Sequence, residues 1–199
     1  MKGSRTWLVL CAVHGVLSML LWWAREPVVQ LLIWRADGWL LQPWTLLTSA
    51  WVHLSTPHLI GNQLALGALT AAGWVLRPPT SATWAWGLSW PLTQLSLDLW
   101  PQVGYAVGLS GVLHAGLMVL AMHLLLGPMP RPLRTWGAGL ALGVLVKLFI
   151  EHAWGQPVVW DPSDEMSIVQ AAHLSGAFWG AMLGALSALR AWRQPASSS

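Results

Sequence analysis

The feature that most constrains this chain is a succession of long apolar runs, several of which are about 18 to 22 residues in length. A helix of that length crosses the roughly 30 Å of hydrocarbon in a bilayer. Only 9% of the residues are charged, whereas about a quarter are charged in a soluble domain. Because lipid cannot satisfy backbone polar groups, long continuous runs predict a bundle of helices, and a β-barrel would instead show short alternating segments. We therefore expect an all-α integral membrane protein.

The distribution of prolines, glycines and charges divides the chain into six predicted membrane helices. These cover residues 6–23, 57–76, 82–99, 108–126, 135–153 and 167–192. They form one membrane domain, residues 1–194, followed by a short polar tail, residues 195–199. The loop after the first helix has about 30 residues and is rich in tryptophan, which is typical of a functional segment half sunk in the membrane interface. Lys2 and Arg5 precede the first run as in a signal peptide, but no small-residue cleavage site ends it, so we expect a retained helix.

Basic residues are concentrated at the termini and in the loops after the second and fourth predicted helices. They are Lys2, Arg5, Arg77, Arg131, Arg134, Arg190 and Arg193. By the positive-inside rule this side is cytoplasmic, and both termini lie there. The acidic residues fall on the opposite, outer side: Glu26, Asp37, Asp98, Glu151, Asp161, Asp164 and Glu165. Lys147 lies one helical turn before Glu151, where it could pair with it or extend towards the interface.

Two further observations exclude other kinds of site and partner. Cys11 is the only cysteine, so neither a disulfide nor a cysteine-based metal cluster can form within the chain. The net charge is +3, but no basic stripe or aromatic-basic module accompanies it. We therefore expect this protein to interact with the lipid bilayer and not with nucleic acid.

A short glycine-rich segment opens the fourth predicted helix. Gly108 and Gly111 flank Ser110 with residues that lack a Cβ atom, which leaves the peptide N–H groups there accessible. This pattern is typical of a serine nucleophile beside an oxyanion site. Small residues in a membrane helix more often allow a neighbouring helix to pack closely, and the segment alone does not decide between the two.

Further polar side chains are predicted at the same depth as Ser110, in the outer half of the bilayer. They are His53 and His58 around the start of the second helix, Asn62 one turn further in, and His173 about two turns into the sixth. Polar groups inside a membrane are costly and tend to line cavities. His58 and Asn62 share one helix face, so they could donate hydrogen bonds to a developing oxyanion or could merely bridge two helices.

Glycines at every fourth position follow His173 on the sixth helix: Gly176, Gly180 and Gly184. Such a ridge lets another helix approach closely. If that helix is the fourth, His173 can take the proton of Ser110 as a general base. No carboxylate is expected at membrane depth near His173, so we predict a Ser-His dyad without a third member.

His114 is a rival base, because it lies four residues after Ser110 on the same helix face. We favour His173, since a base on a separate helix can be oriented independently of the nucleophile's own backbone. His114 would then pack beneath the imidazole or line the pocket.

Three segments taken together resemble the rhomboid family of intramembrane serine proteases. They are His53-x4-His58-x3-Asn62, Gly108-x-Ser110-Gly111 and Ala172-His173-x-x-Gly176, in the family's order on the second, fourth and sixth helices. The resemblance implies a six-transmembrane-helix rhomboid-like bundle that uses no cofactor and no metal. It also implies membrane-anchored proteins as substrates.

The resemblance further implies a role for each of these residues. Ser110 would be the nucleophile and His173 the base of a serine endopeptidase, and His53 would have a more structural part. Oxyanion and substrate-binding roles would fall to His58, Asn62, Gly108 and the Ser110 backbone N–H. The long loop after the first helix would be the family's half-submerged lateral element, and the loop before the sixth helix would help to cap the site.

Two positions depart from the family's usual pattern. His114 stands where many members carry Tyr, and Thr45 follows Trp44 where many carry Arg. The first departure, together with the compact six-helix form, is similar to the rhombosortase subgroup. Proteins of that subgroup are thought to process bacterial exported proteins that carry a C-terminal Gly-Gly motif, a membrane helix and a basic tail. This similarity implies a location in the bacterial inner membrane.

Other readings of the same residues remain open. A zinc hydrolase could use His53, His58 and His173 as ligands, but the chain lacks the intramembrane Glu of the usual zinc-helix motif, and Ser110 would have no role. A small transporter would be expected to show an inverted repeat or paired broken helices. A general rhomboid protease with other substrates, or a rhomboid-like binding protein without catalysis, completes the set of alternatives.

Overall fold

A computed structural model describes residues 2–162 and 166–191 of the protein. Several of the sequence predictions concern residues outside these ranges. They are the acids Asp164 and Glu165, the last residue of the sixth predicted helix, Trp192, the base Arg193 and the polar tail 195–199.

The described residues are mostly helical. The chain begins with α1 (Lys2–Trp22), α2 (Glu26–Leu32), β1 (Trp34–Arg35), α3 (Thr45–Thr48) and a 3-10 turn at Ser49–Trp51. It continues with α4 (Thr56–Leu76), α5 (Thr80–Leu95), a 3-10 turn at Ser96–Leu99, β2 (Tyr105–Ala106) and α6 (Ser110–Leu126). The last elements are α7 (Arg131–Glu151), β3 (Val159–Asp161), β4 (Met166–Ile168) and α8 (Gln170–Ala191).

Length and hydropathy identify four helices in the described part of the chain that could cross a membrane: α1, α4, α7 and α8. The predicted integral membrane character is therefore confirmed, whereas the predicted count of six spans is not confirmed by this criterion. The other two long helices are shorter, with 16 residues in α5 and 17 in α6. α6 is the most enclosed helix of the bundle, because it packs against α4, α5, α7 and α8.

The loop predicted after the first helix contains ordered elements that reach the segment before α6. β1 pairs antiparallel with β2, so Trp34 lies opposite Ala106. The amide of Gly108 donates a hydrogen bond to the Ser49 carbonyl oxygen at 3.0 Å. These two contacts attach the first loop to the residues that lead into α6.

Several helix ends differ from the prediction for identifiable reasons. The fourth predicted helix begins at residue 108, but α6 begins at Ser110, because Gly108 has a φ of +99° that no right-handed helix contains. The predicted start of the sixth helix at residue 167 is wrong, since Ser167 pairs with Trp160 in the β3–β4 hairpin. The third predicted helix also ends early as an α-helix, and residues 96–99 continue it as a 3-10 turn.

The closest helix contact in the bundle joins α6 to α8 through residues without large side chains. A Cβ atom placed on Gly180 would lie 2.7 Å from the Ala115 Cα atom, and one on Gly184 would lie 2.7 Å from the Val119 Cα atom. Backbones therefore touch where the sequence predicted a ridge of glycines. The helix against this ridge is the one carrying Ser110, which is the condition under which the sequence allows His173 to reach the Ser110 hydroxyl.

Candidate active site

Ser110 occupies the first position of α6, immediately after a turn that only glycine adopts comfortably. Gly108 supplies the positive φ of +99° in that turn. The first N–H groups of a helix have no intrahelical acceptor, and they lie at the positive end of the helix dipole. A negative charge that forms beside Ser110 would therefore meet backbone donors that are already in place.

The Ser110 hydroxyl and the His173 imidazole form a direct hydrogen bond between α6 and α8. The distance from Ser110 Oγ to His173 Nε2 is 2.8 Å, and His173 is buried with 5% of its surface exposed. The approach depends on Gly111, because a Cβ atom there would lie 2.8 Å from the Ala172 carbonyl oxygen. A hydroxyl that donates to a neutral imidazole is the arrangement that activates a serine for nucleophilic attack.

His114 contacts both partners without competing for the hydroxyl. Its ring stacks on that of His173, with centroids 4.4 Å apart and an angle of 18° between the planes. His114 Nδ1 donates to the Ser110 carbonyl oxygen at 2.7 Å. The rival base, His114, therefore packs against one face of the His173 ring and fixes the orientation of that ring. His173 is the histidine that reaches the Ser110 hydroxyl.

The expectation that no carboxylate lies near His173 is wrong. Glu151 Oε2 is 3.0 Å from His173 Nδ1, and Glu151 Oε1 is 3.2 Å from the same atom. Lys147, one turn earlier on α7, forms an ion pair with Glu151. Glu151 is the last residue of α7, and His173 lies in the first turn of α8, so these two helix ends meet.

Sequence reasoning missed Glu151 although a signal was available. The charge pattern already predicted Glu151 and His173 on the same outer side of the membrane. It gave no information on which helices are neighbours, and the carboxylate was therefore assigned only to its i, i+4 partner Lys147.

The remaining polar residues form a second group next to the turn before Ser110. Asn62 donates from Nδ2 to His53 Nε2 at 2.9 Å, and His53 Nδ1 donates to the Trp51 carbonyl oxygen at 3.2 Å. Burial lowers the pKa of His53 to about 4, with a further contribution from His58, so the ring is neutral at pH 7. The His58 ring lies 5.0 Å from that of His53 and packs against Gly108, where an added Cβ would be 2.7 Å from His58 Nε2.

The candidate site residues therefore meet at one end of the bundle, where α4, α6 and α8 begin and α7 ends. The family model for the rhomboid domain matches residues 40–190, which is well over half of the chain and includes every candidate site residue. This chain belongs to the rhomboid family. Rhomboids are intramembrane serine proteases that act on membrane proteins within the bilayer, and the predicted family is thus confirmed. No curated protein matches the sequence closely.

Neither membership of the rhomboid family nor the geometry of the site supports the zinc hydrolase alternative. Within residues 2–162 and 166–191, no group of three or more His, Cys, Asp or Glu side chains is arranged to hold a metal ion. The ring nitrogens of two of the proposed ligands have other partners. His53 binds Asn62 and the Trp51 carbonyl, and His173 binds Ser110 and Glu151.

An apolar cleft of about 380 Å³ adjoins the rhomboid site between α4, α6 and α7. Its α4 wall consists of three small residues, Ala65, Ala68 and Ala72, together with Leu69. His114 and Lys147 also line it, and the His114 ring is the one that stacks on His173. An extended or helical segment of another protein could approach the site through this cleft.

Substitution of Gly108 by alanine is expected to lower the activity of this rhomboid about 10²-fold. The added Cβ would collide with the His58 ring, and the left-handed φ would destabilise the turn by a further 1–3 kcal/mol or so. The measurement is the rate of covalent labelling of Ser110 by a fluorophosphonate, together with the melting temperature in detergent. Gly104→Ala is the matched control, because no atom lies within 4 Å of a Cβ placed there. Equal labelling rates in the two variants would contradict the role given to this turn.

Proposed function

We propose that this protein is an intramembrane serine endopeptidase in which Ser110 is the nucleophile and His173 is the general base. The observation that carries the proposal is the 2.8 Å hydrogen bond between Ser110 Oγ and His173 Nε2. His173 takes the hydroxyl proton as Ser110 attacks a peptide carbonyl, and it returns that proton to the leaving amine. Departure of the amine leaves an acyl-enzyme at Ser110. Water then attacks this ester while His173 takes a proton from the water and returns it to the Ser110 oxygen.

The tetrahedral oxyanion requires donors on the side of Ser110 away from His173. The backbone N–H of Ser110 at the start of α6 is one such donor. The side chains of His58 and Asn62 are the other donors. Gly108 has no Cβ atom, so substrate can approach the backbone there. The packing of His58 against Gly108 supports this arrangement. Each donor of this kind contributes about 10²-fold to 10³-fold in rate.

The proposed topology has six membrane helices with both termini in the cytoplasm and the site near the outer face. Basic residues at the opposite ends of the helices support it by the positive-inside rule. Arg5 lies in the first turns of α1, Arg77 follows α4, Arg131 begins α7 and Arg190 lies in the last turn of α8. The short α6 is enclosed by α4, α5, α7 and α8, and a bundle interior tolerates such an element better than lipid does. The short α5 packs against α1, α6 and α8 on one side. We place the protein in the bacterial inner membrane.

The proposed substrates are exported proteins with a C-terminal Gly-Gly motif, a membrane helix and a basic tail, as in the rhombosortase subgroup. Glycine lowers the cost of unwinding a helix by up to about 1 kcal/mol per residue, and the scissile bond must leave its helical hydrogen bonds before Ser110 can attack. The small residues of the α4 wall support entry of a substrate helix through the cleft. A basic tail would remain on the cytoplasmic side of the proposed topology.

Cleavage in proteoliposomes tests this function directly. The substrate is a single membrane helix preceded by Gly-Gly and followed by a basic tail, and its partner differs only in carrying Leu-Leu in place of Gly-Gly. We expect the wild type to cleave the Gly-Gly substrate at least 10-fold faster, in line with the lower cost of unwinding at two glycines, and mass spectrometry to locate the new terminus beside them. Ser110→Ala should cleave neither.

The other outcomes separate the alternatives. Equal cleavage of both substrates would indicate a general rhomboid protease. Cleavage of neither by a folded wild type would remove the Gly-Gly substrates from the proposal, and labelling of the same protein by a fluorophosphonate would then separate a rhomboid protease with other substrates from a rhomboid-like binding protein. Undiminished cleavage by Ser110→Ala would remove Ser110 from its role.

A further inference from the structure

The His173 imidazole is held from both of its nitrogens, and the second contact has no part in a two-residue mechanism. Nε2 lies against the Ser110 hydroxyl, and Nδ1 faces the Glu151 carboxylate with Oε2 at 3.0 Å. Lys147 binds the other carboxylate oxygen, Oε1. Lys147, Glu151, His173 and Ser110 thus form one continuous chain of polar contacts from α7 through α8 to α6.

The Glu151 carboxylate is more buried and held by more contacts than a carboxylate in an ion pair at a protein surface. The Glu151 side chain is 18% exposed and that of His173 is 6% exposed. At the junction of the same two helices, the Gln170 side-chain amide, with its nitrogen towards α7, donates to the Gln156 carbonyl oxygen at 3.0 Å and to the carbonyl oxygen of Glu151. The end of α7 is therefore attached to the start of α8 by contacts other than the ion pair.

An acceptor at Nδ1 determines which nitrogen of a neutral imidazole carries the proton. A carboxylate there requires the tautomer with hydrogen on Nδ1, and this leaves the lone pair of Nε2 directed at Ser110. When Nε2 gains the serine proton, the ring becomes a cation, and the adjacent carboxylate stabilises it while remaining ionised itself. The proton then passes from Nε2 to the leaving amine, so Glu151 never exchanges a proton.

We propose that Glu151 is a positioning residue that acts through His173, and that this protein uses a Ser-His-Glu arrangement in place of a dyad. The inference rests on the proposed function, because it requires His173 to be the base. Lys147 binds Oε1, and Oε2 is the carboxylate oxygen nearer to His173 Nδ1, at 3.0 Å against 3.2 Å for Oε1. The Lys147 ammonium lies further from that nitrogen, at 3.5 Å. His114 supports the same ring from its face, so the imidazole is held in its plane and in its tautomer.

The test compares Glu151→Gln and Glu151→Asp with the wild type in detergent-solubilised full-length protein. The probe is a fluorophosphonate, whose reaction with the active serine requires no knowledge of the substrate. We expect Glu151→Gln to slow labelling about 10²-fold or more, because the Gln amide can donate to Nδ1 and favour the wrong tautomer. Glu151→Asp keeps the charge and should recover at least part of the rate. Glu26→Gln is the matched control, since it removes an exposed carboxylate whose partner is Gln30.

A second readout separates a positioning role from a purely structural one. Nitrogen NMR on protein with isotope-labelled histidine, with the His173 signals identified by their loss in His173→Ala, reports which ring nitrogen carries hydrogen. We expect hydrogen on Nδ1 in the wild type and a shift towards Nε2 in Glu151→Gln. A structural role alone would lower the melting temperature and leave the tautomer of the folded fraction unchanged, and that result would overturn the inference.

The failures of the two proposals are distinguishable. Wild-type labelling rates in Glu151→Gln, with no labelling in Ser110→Ala and His173→Ala, would overturn the role of Glu151 and leave the proposed function intact. A folded wild type that never labels would overturn both. If Glu151→Gln does not fold, the His173 tautomer of the wild type still decides the question, because hydrogen on Nε2 in place of Nδ1 would overturn the role of Glu151.

Discussion

Replacement of His173 by alanine is expected to reduce covalent labelling of Ser110 by a fluorophosphonate about 10³-fold or more. The serine hydroxyl is a weak nucleophile at its ordinary pKa and depends on a base within hydrogen-bond reach. His173 Nε2 is that group at 2.8 Å, while the hydrogen bond of His114 goes to the Ser110 carbonyl oxygen and not to the hydroxyl. Ser110→Ala, which removes the reacting atom, should abolish labelling altogether.

Two further histidine variants make this experiment specific. His123→Ala removes another buried histidine of α6, at the end of the helix remote from Ser110, and it should label at the wild-type rate. His114→Ala removes the stacked ring and should slow labelling less than His173→Ala does. If labelling survived in His173→Ala and failed in His114→Ala, the base would have to be reassigned to His114.

Substitution of Gly180 by valine is expected to destabilise the folded bundle by about 3 kcal/mol or more and to abolish labelling with it. A Cβ atom at Gly180 would lie 2.7 Å from the Ala115 Cα atom, so the collision is with backbone that cannot rotate away. Overpacking of this kind costs about 1–3 kcal/mol even where side chains can adjust. Separation of α6 from α8 would also separate Ser110 from His173, because the two residues lie on these two helices.

Thermal unfolding followed by the fluorescence of the chain's 17 tryptophans measures this effect in detergent. Gly139→Val on α7 is the matched control, because no atom lies within 4 Å of a Cβ placed on Gly139. The control should melt close to the wild type and label normally. A Gly180→Val protein with the same melting temperature as the control would show that the two helices can separate without loss of the fold.

The helices and the position of Ser110 at a helix start could be predicted because the signals that define them are local. An apolar run of sufficient length must form a helix in lipid whatever its neighbours are, and α1, α4, α7 and α8 follow from this rule. The close approach of another helix to Gly180 could also be anticipated, since a ridge of glycines favours close packing, and the structure identifies Ala115 as the contact. The ends of the helices were harder to predict. Ser167 pairs in a hairpin with Trp160 rather than beginning α8, and a strand of three residues leaves little periodicity to detect.

The sequence by itself determined that this is a helical membrane protein of the rhomboid family and brought Ser110 and His173 together as candidates. Only the tertiary structure decided what lies on the other side of His173. The hydrogen bond from its Nδ1 to Glu151 joins residues 22 positions apart, on helices whose order in space is not written in any local pattern. Their contact depends on where α7 ends, how α8 is rotated and how closely α6 holds both. The position of Ser110 at a helix start is therefore determined by a short segment, whereas the environment of His173 is determined by three packed helices.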